Sequence, residues 1–293
     1  MESEEPKHVH RGIKKGLYVI PTAFTAANIA MGFFAVLWSI HGFRLATDDP
    51  IAAAGYFNYA AIAIGLAILF DTLDGRVARM TRTATEIGVQ FDSLADVLTF
   101  GIAPIALIYS WGIASAFNER SSEHGLGIFL LFMYLMCGAF RLARFNLQAT
   151  RPRVLVEGTP KVDKKNFVGL PIPPAAGLLA SIVHFAPMPL SSYGIGYAQF
   201  YAMLIMVLLA VLGILMVSTL KYTSFKTAGT GRQNLYLVLV IAAVGMLIWL
   251  YSEYVLVTIS GLYVAHGVFW YVLNLMRRRS SHQETPDHET GEA

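Results

Sequence analysis

Charge is scarce in this chain. Only 14% of its 293 residues are Asp, Glu, Lys or Arg, whereas 55% are hydrophobic and mean hydropathy is +0.54. An ordinary soluble domain carries about 25% charged residues. The deficit leaves too little polar surface to cover a water-soluble globule, and the class that remains is a polytopic membrane protein. Cysteine is almost absent. Cys137 stands alone, which excludes an intrachain disulfide and a Cys-based zinc site. It lies in an apolar run and reads as an inert, buried thiol. Internal repeats and a soluble domain are also missing. The net charge of +3 is modest, and no nucleic-acid partner is expected.

Long hydrophobic runs, by contrast, are abundant. A membrane helix needs about 20 mainly apolar residues. Eight runs qualify, at roughly 17–41, 51–70, 92–115, 125–146, 169–187, 195–219, 234–252 and 254–275. The last two are nearly continuous through Ser252-Glu253-Tyr254. One straight helix of that length would greatly overshoot the bilayer, so a hairpin is expected. The fold class is therefore an all-α, polytopic membrane bundle of about eight transmembrane helices. A polar arm (1–16) precedes the membrane domain (17–276), and a polar tail (277–293) without apolar periodicity reads as disordered. The N-terminus shows no cleavage pattern of a signal peptide.

Basic residues fall on one side of these spans. Of the 22 Lys and Arg residues, all but Arg44 and Arg120 lie in the N-terminal arm, the even-numbered connections or the tail. The positive-inside rule then places both termini and a basic surface in the cytoplasm.

Four carboxylates stand out against the apolar background. Span two ends in AIAIGLAILF and runs directly into Asp71, Asp74 and then Asp92 and Asp96. Asp71 and Asp74 are three apart and share a helix face. Gly88, Asp92 and Asp96 are spaced by four and share another. Two helices joined by a tight cytoplasmic turn can aim both faces at one point. A charge near the bilayer centre costs about 2.5–3.5 kcal/mol on insertion scales, and four clustered carboxylates repel one another. Divalent cations between them would resolve both problems. Carboxylate oxygens are hard ligands suited to Mg²⁺, Mn²⁺ or Ca²⁺. Gly75 and Gly88 would let a phosphate-bearing ligand or the facing helix approach the backbone. Arg76, Arg79 and Arg82 are either positive-inside anchors or phosphate ligands.

The segment reads Asp71-x-x-Asp74-Gly75-x-x-Ala78-Arg79, then eight residues, then Gly88-x-x-x-Asp92-x-x-x-Asp96. It resembles the complete signature of the CDP-alcohol phosphotransferase family, at every position and spacing. The resemblance implies six core membrane helices and a binuclear metal site at the cytoplasmic side. It implies that Asp71, Asp74 and Asp92 hold one metal, that Asp71, Asp92 and Asp96 hold or line the second, and that Asp96 is the general base. It implies that Gly75, Ala78 and Arg79 sit against the CDP moiety, with Mg²⁺ or Mn²⁺ as cofactor, two ions per site, and a homodimer as the assembly. The chemistry suits these residues. Two divalent ions neutralise a diphosphate, a carboxylate can take the proton of an incoming hydroxyl, and phosphoryl transfer depends chiefly on positioning and charge neutralisation. Direct attack without a covalent phosphatidyl-enzyme is expected.

Other segments bear on the acceptor. Arg141-Leu142-Ala143-Arg144-Phe145-Asn146, the run Gly169-Leu170-Pro171-Ile172-Pro173-Pro174 and the stretch Met216-Val217-Ser218-Thr219 to Lys226 resemble the phosphatidylserine synthase branch of that family. On that resemblance the substrates are CDP-diacylglycerol and L-serine. Arg141 and Arg144 offer planar forks to a carboxylate, or snorkel to lipid phosphates; Asn146 could bond an amine or carboxylate. Lys221 and Lys226 are either ligands of acceptor or lipid, or topology signals. The prolines fix the approach of the chain into a helix. Pro21 to Asn28 resembles the family's opening segment; Asn28 either faces the nucleotide diphosphate or makes an interhelical hydrogen bond. Glycerol 3-phosphate, an inositol phosphate or choline as acceptor, and an ether-lipid donor, remain alternatives. So does a cation-coupled transporter, against which the clustering of all four carboxylates at one turn and the lack of repeat-related broken helices argue.

Overall fold

In a computed structural model, residues 11–81, 86–150, 166–218, 220–223 and 232–281 are described. The chain is a helical bundle. Helices α1 (Arg11–Leu45) and α2 (Pro50–Thr81) form an antiparallel pair joined by a four-residue link. Asp49 caps α2, accepting a hydrogen bond from the Ala52 amide at 3.0 Å, and Pro50 occupies the first helical position, where a missing N–H does no harm. The third span starts as α3 (Glu86–Asp96), passes through a π-helical stretch (Val97–Ile102), α4 (Ala103–Ile108), a second π stretch (Tyr109–Ile113) and the single turn α5 (Ala114–Ala116). Then follow α6 (Ser122–Thr150), α7 (Ile172–Phe185), α8 (Ile195–Val217) and α9 (Arg232–Ser281). Two three-residue strands, β1 (Asn166–Val168) and β2 (Lys221–Thr223), pair antiparallel.

Small side chains let the helices meet. Along α2, Ala53, Phe57, Ala60, Ile64 and Ala67 recur at alternating steps of four and three, and all are fully buried. This narrow stripe faces α1 and the core, while Ile51, Tyr59, Ile62, Leu66 and Leu69 point outward. On α1, a Cβ at Gly32 would come within 2.6 Å of Thr99 Oγ1, and one at Gly42 within 2.6 Å of the Phe57 ring. Lipid tails are as apolar as leucine, so helix association in a membrane rests on such close packing and on interhelical hydrogen bonds.

Among the described residues, six helical segments are long and apolar enough to cross a membrane: Ala23–Leu45, Pro50–Val77, Ile87–Ala116, Ser122–Leu147, Ile195–Val217 and Ala243–Gly267. The chain is thus all-helical apart from the small ribbon, and multi-pass. Three of the eight expected runs differ in form. The fifth, expected over 169–187, contains a 14-residue helix, α7. Its length of about 21 Å is short for the hydrocarbon core, because an extended segment ending at Pro171 leads into it. Ile172, Ala175, Ala176, Leu179 and Val183 are nevertheless fully buried, so α7 is a core helix wrapped by its neighbours. The seventh and eighth runs are joined as α9, interrupted at Tyr251, whose backbone is non-helical (φ −139°, ψ 46°). The break falls one residue before Ser252-Glu253-Tyr254.

Gly169 ties the ends of α7 and α8 together. Its φ is +81°, and a Cβ there would lie 2.4 Å from the Met216 carbonyl oxygen. The Gly169 amide donates to the Leu220 carbonyl at 2.8 Å and the Leu170 amide to the Leu215 carbonyl at 3.0 Å. Both the left-handed conformation and the contact demand glycine. Gly169→Ala is expected to destabilise the protein by about 1–3 kcal/mol, read as a lower midpoint of thermal unfolding in detergent. An unchanged midpoint would show that this junction tolerates a side chain.

Candidate active site

The carboxylates come from two helices that face each other. Asp71 and Asp74 lie near the C-terminal end of α2, and Asp92 and Asp96 in the second half of α3. Asp71, Asp74 and Asp92 each present an oxygen such that the three lie within 4.8 Å of one another. Asp74 is buried; Asp71 and Asp92 are half-buried. Asp96 is buried, interacts electrostatically with Asp71, Asp92, Asp74 and Arg141, and its Oδ1 has no hydrogen-bond partner among the described residues. Charge of one sign gathered this closely, with a buried acceptor left over, fits a divalent cation bound by hard oxygen donors. Three of the four expected carboxylates thus lie together, with Asp96 in electrostatic range of all three.

Helix α1 supplies a second wall. Thr25 Oγ1 donates to Asp74 Oδ2 at 3.1 Å, which leaves Asp74 oriented by a neutral donor. One turn on, Asn28 is fully buried, with neither its side-chain oxygen nor its nitrogen partnered among the described residues. Its backbone carbonyl accepts from Thr99 Oγ1 at 3.3 Å. The interhelical contact of Asn28 is thus made by its main chain, and its side-chain amide has no partner among the described residues.

The π stretch after Asp96 shapes this wall. A π turn shifts carbonyls off the α-helical ladder and is frequent at functional sites. The Phe100 carbonyl in that stretch accepts from the Tyr134 hydroxyl at 3.1 Å, and Thr99, beside it, makes the bond to α1. Both side chains buried here are satisfied by neighbouring helices, which fixes the roll of α3 and hence the aim of Asp92 and Asp96.

The three segments that resemble the phosphatidylserine synthase branch meet, and the first of them, on α6, lies beside the carboxylates. Arg141 is buried near Asp96, and its Nε has no hydrogen-bond partner among the described residues. Arg144 Nη1 donates to the Val217 carbonyl at 3.4 Å, at the end of α8. Asn146 Nδ2 donates to Ser93 Oγ at 2.8 Å, next to Asp92. A Cβ at Gly138 would come within 2.5 Å of Ile172 Cδ1 and 3.6 Å of Met216 Sδ, so the start of α7 and the end of α8 close on α6 one turn before Arg141. Gly75 and Gly88 lie at helical positions of α2 and α3, half-buried and exposed respectively. Ala78 and Arg79 continue α2 on the backbone; their side chains, residues 82–85 with Arg82, Lys226 and the arm and tail beyond 11–281 lie outside the described residues. Thr25, Ser93 and Thr99 were not legible as site residues, since hydroxyls in apolar helices commonly bond their own helix. Only their neighbours across the bundle reveal them.

Asn28 yields a prediction. A buried amide with no partner costs about 1–3 kcal/mol. Asn28→Leu, similar in shape, is expected to raise the unfolding midpoint of the substrate-free protein and to raise the KM for a CDP-activated lipid several-fold. A fall in both stability and KM would contradict the assignment of this amide to a ligand.

A profile of the CDP-alcohol phosphatidyltransferase family matches residues 18–215. The chain is 28% identical over 267 residues to the CDP-diacylglycerol–serine O-phosphatidyltransferase of Helicobacter pylori strain J99, covering 89% of this chain and 94% of that protein. It is 35% identical over 163 residues to the protein of the same name from Methanocaldococcus jannaschii, covering 55% and 62% respectively. It is 33% identical over 205 residues to the archaetidylserine synthase of Methanothermobacter thermautotrophicus, covering 69% of each. With the full signature on two facing helices and the family match over two-thirds of its length, this chain belongs to the CDP-alcohol phosphatidyltransferase family.

Proposed function

We propose that the protein transfers the phosphatidyl group of CDP-diacylglycerol to L-serine, giving phosphatidylserine and CMP. The observation that carries this reading is the convergence of Arg141, Arg144 and Asn146 beside the carboxylate cluster, together with similarity to relatives named for that reaction.

The residues divide the work. Asp71, Asp74, Asp92 and Asp96 would hold Mg²⁺ or Mn²⁺, two ions per site. Such ions supply charge neutralisation for the diphosphate and the departing CMP. Asn28 offers its amide to the diphosphate, and Gly75, Ala78, Arg79 and Gly88 line the nucleotide side. Arg141 and Arg144 present guanidinium forks to the serine carboxylate, and Asn146 bonds the amino acid from the α6 end. Asp96 Oδ1 takes the proton of the serine hydroxyl. The serine oxygen forms a bond to phosphorus as the bond from phosphorus to the CMP oxygen breaks, and no covalent phosphatidyl-enzyme intervenes. Ser93 and Thr25 orient Asn146 and Asp74.

The basic connections and the position of the cluster at the ends of α2 and α3 support a site opening to the cytoplasm, with both termini on that side. A homodimer follows from the family resemblance. Similarity to an archaetidylserine synthase favours, as a second reading, an ether-lipid donor with the same acceptor.

The test is CMP release by purified protein in detergent, with CDP-diacylglycerol, Mn²⁺ or Mg²⁺, and either L-serine or glycerol 3-phosphate. Release is expected to require serine, to stop with EDTA, and to fall at least about 1,000-fold in Asp92→Ala, the scale of a lost charge-stabilising group. Release driven by glycerol 3-phosphate alone would overturn the acceptor; near-normal turnover by Asp92→Ala would overturn the metal site.

A further inference from the structure

Helix α1 meets the carboxylate cluster through a hydroxyl. Thr25 Oγ1 donates to Asp74 Oδ2 at 3.1 Å, and the two residues are only 8% and 4% exposed. Other hydroxyls of this bundle turn to the carbonyl four residues back, as those of Ser39 and Thr72 do. That of Thr25 reaches a carboxylate on another helix. The contact is braced on its flank. Phe24 precedes Thr25, Phe70 lies one turn before Asp74, and their ring centroids are 6.4 Å apart. Two turns further along α1, a Cβ at Gly32 would collide with Thr99, whose hydroxyl donates to the Asn28 carbonyl at 3.3 Å. The height of α1 against α2 and the third span is therefore set at Thr25 and again beyond it.

A neutral donor has two effects on a buried carboxylate. It leaves the negative charge in place, whereas a lysine or arginine partner would offset it. It also opposes rotation of the carboxylate, because turning away would strip a buried acceptor of its partner. Asp74 Oδ2 is thus held toward α1. Asp74 also contributes an oxygen to the group it forms with Asp71 on α2 and Asp92 on α3, all within 4.8 Å of one another. A carboxylate pinned to α1 by one oxygen meets an ion among those residues through the other. The number of oxygens offered bears on ion choice. Mg²⁺ demands near-ideal octahedral geometry at about 2.0–2.1 Å, whereas Ca²⁺ takes about six to eight oxygens at longer range and readily accepts both oxygens of one carboxylate.

We propose that Thr25 is a positioning and specificity-determining residue of the metal site: by holding Asp74 as a one-oxygen ligand, it biases the site toward small six-coordinate ions, Mg²⁺ or Mn²⁺, and against Ca²⁺. This rests on the proposed assignment of the carboxylates to divalent ions, which the buried Asp96 Oδ1, without a hydrogen-bond partner among the described residues, supports independently. Thr25 acts through Asp74 and is not itself a ligand.

The experiment follows binding of Mn²⁺ to the purified full-length protein in detergent, without lipid substrate, by loss of the free-ion electron paramagnetic resonance signal. Mg²⁺ or Ca²⁺ is then added as competitor, and the ratio of their displacing concentrations is compared between variants. Thr25→Val, which keeps the shape and loses the donor, is expected to weaken Mn²⁺ binding about ten-fold, the scale of a lost partner of a metal ligand, and to shift the ratio toward Ca²⁺ by about five-fold or more. Thr25→Ala also lacks the donor and should shift the ratio in the same direction, so the test does not depend on one variant folding. Thr25→Ser restores the hydroxyl and should return the wild-type ratio. A merely structural role would weaken all three ions alike. An unchanged ratio in both Thr25→Val and Thr25→Ala, or an equal shift in Thr25→Ser, overturns the proposal. If the wild type binds no Mn²⁺, or Asp92→Ala binds it as tightly, the metal reading itself falls, an outcome distinct from an unchanged ratio in a protein that binds Mn²⁺ through Asp92.

Discussion

Mutual repulsion among Asp71, Asp74, Asp92 and Asp96 is the constraint on which this structure turns. Four carboxylates converge at the junction of two membrane helices, where burial penalises charge and like charges raise the penalty further. A bundle can hold them there only if the helices are clamped from outside the cluster. The clamps are visible: Thr25 on Asp74, Thr99 on the Asn28 carbonyl and Tyr134 on the Phe100 carbonyl. Each satisfies a polar group of the site's own framework with a neutral donor. Divalent cations bound by these hard oxygen donors would offset the repulsion, in line with the proposed phosphatidyl transfer.

The packing that supports these clamps is made of small residues. Ala53, Ala60 and Ala67 on α2 and Gly32 and Gly42 on α1 bring the backbones close enough for Thr99 to reach a main-chain carbonyl on α1. A larger side chain at Gly32 would push α3 away and take Asp92 and Asp96 with it. The π stretch that begins directly after Asp96 belongs to the same device. It re-aims the helix below the carboxylates, and Tyr134 accounts for a carbonyl within it.

Some of the arrangement was legible from residue order because it is local. Asp71 and Asp74 at a spacing of three, and Gly88, Asp92 and Asp96 at spacings of four, share faces in any α-helix, and the helices that carry them are where the hydropathy put them. Other parts were not. The run expected as a fifth span holds a helix of only 14 residues, because hydropathy cannot distinguish a lipid-spanning helix from a buried one preceded by an extended Pro-containing segment. Thr25 and Ser93 look like ordinary residues of apolar helices; their partners lie 49 and 53 positions away in sequence.

The chain's order of residues by itself determined its solvent and its chemistry. Too few charges to cover a soluble globule dictate a membrane bundle, helical periodicity puts the acidic residues on shared faces, and the full acidic signature marks the family. Tertiary structure alone decided which groups meet. The RLARFN helix end, the glycine-and-proline turn into α7 and the end of α8 are far apart along the chain. They share one site because Gly138 and Gly169 permit backbone approaches that no side chain would allow. The last helix docks on α7 through hydrogen bonds whose partners no local pattern announces.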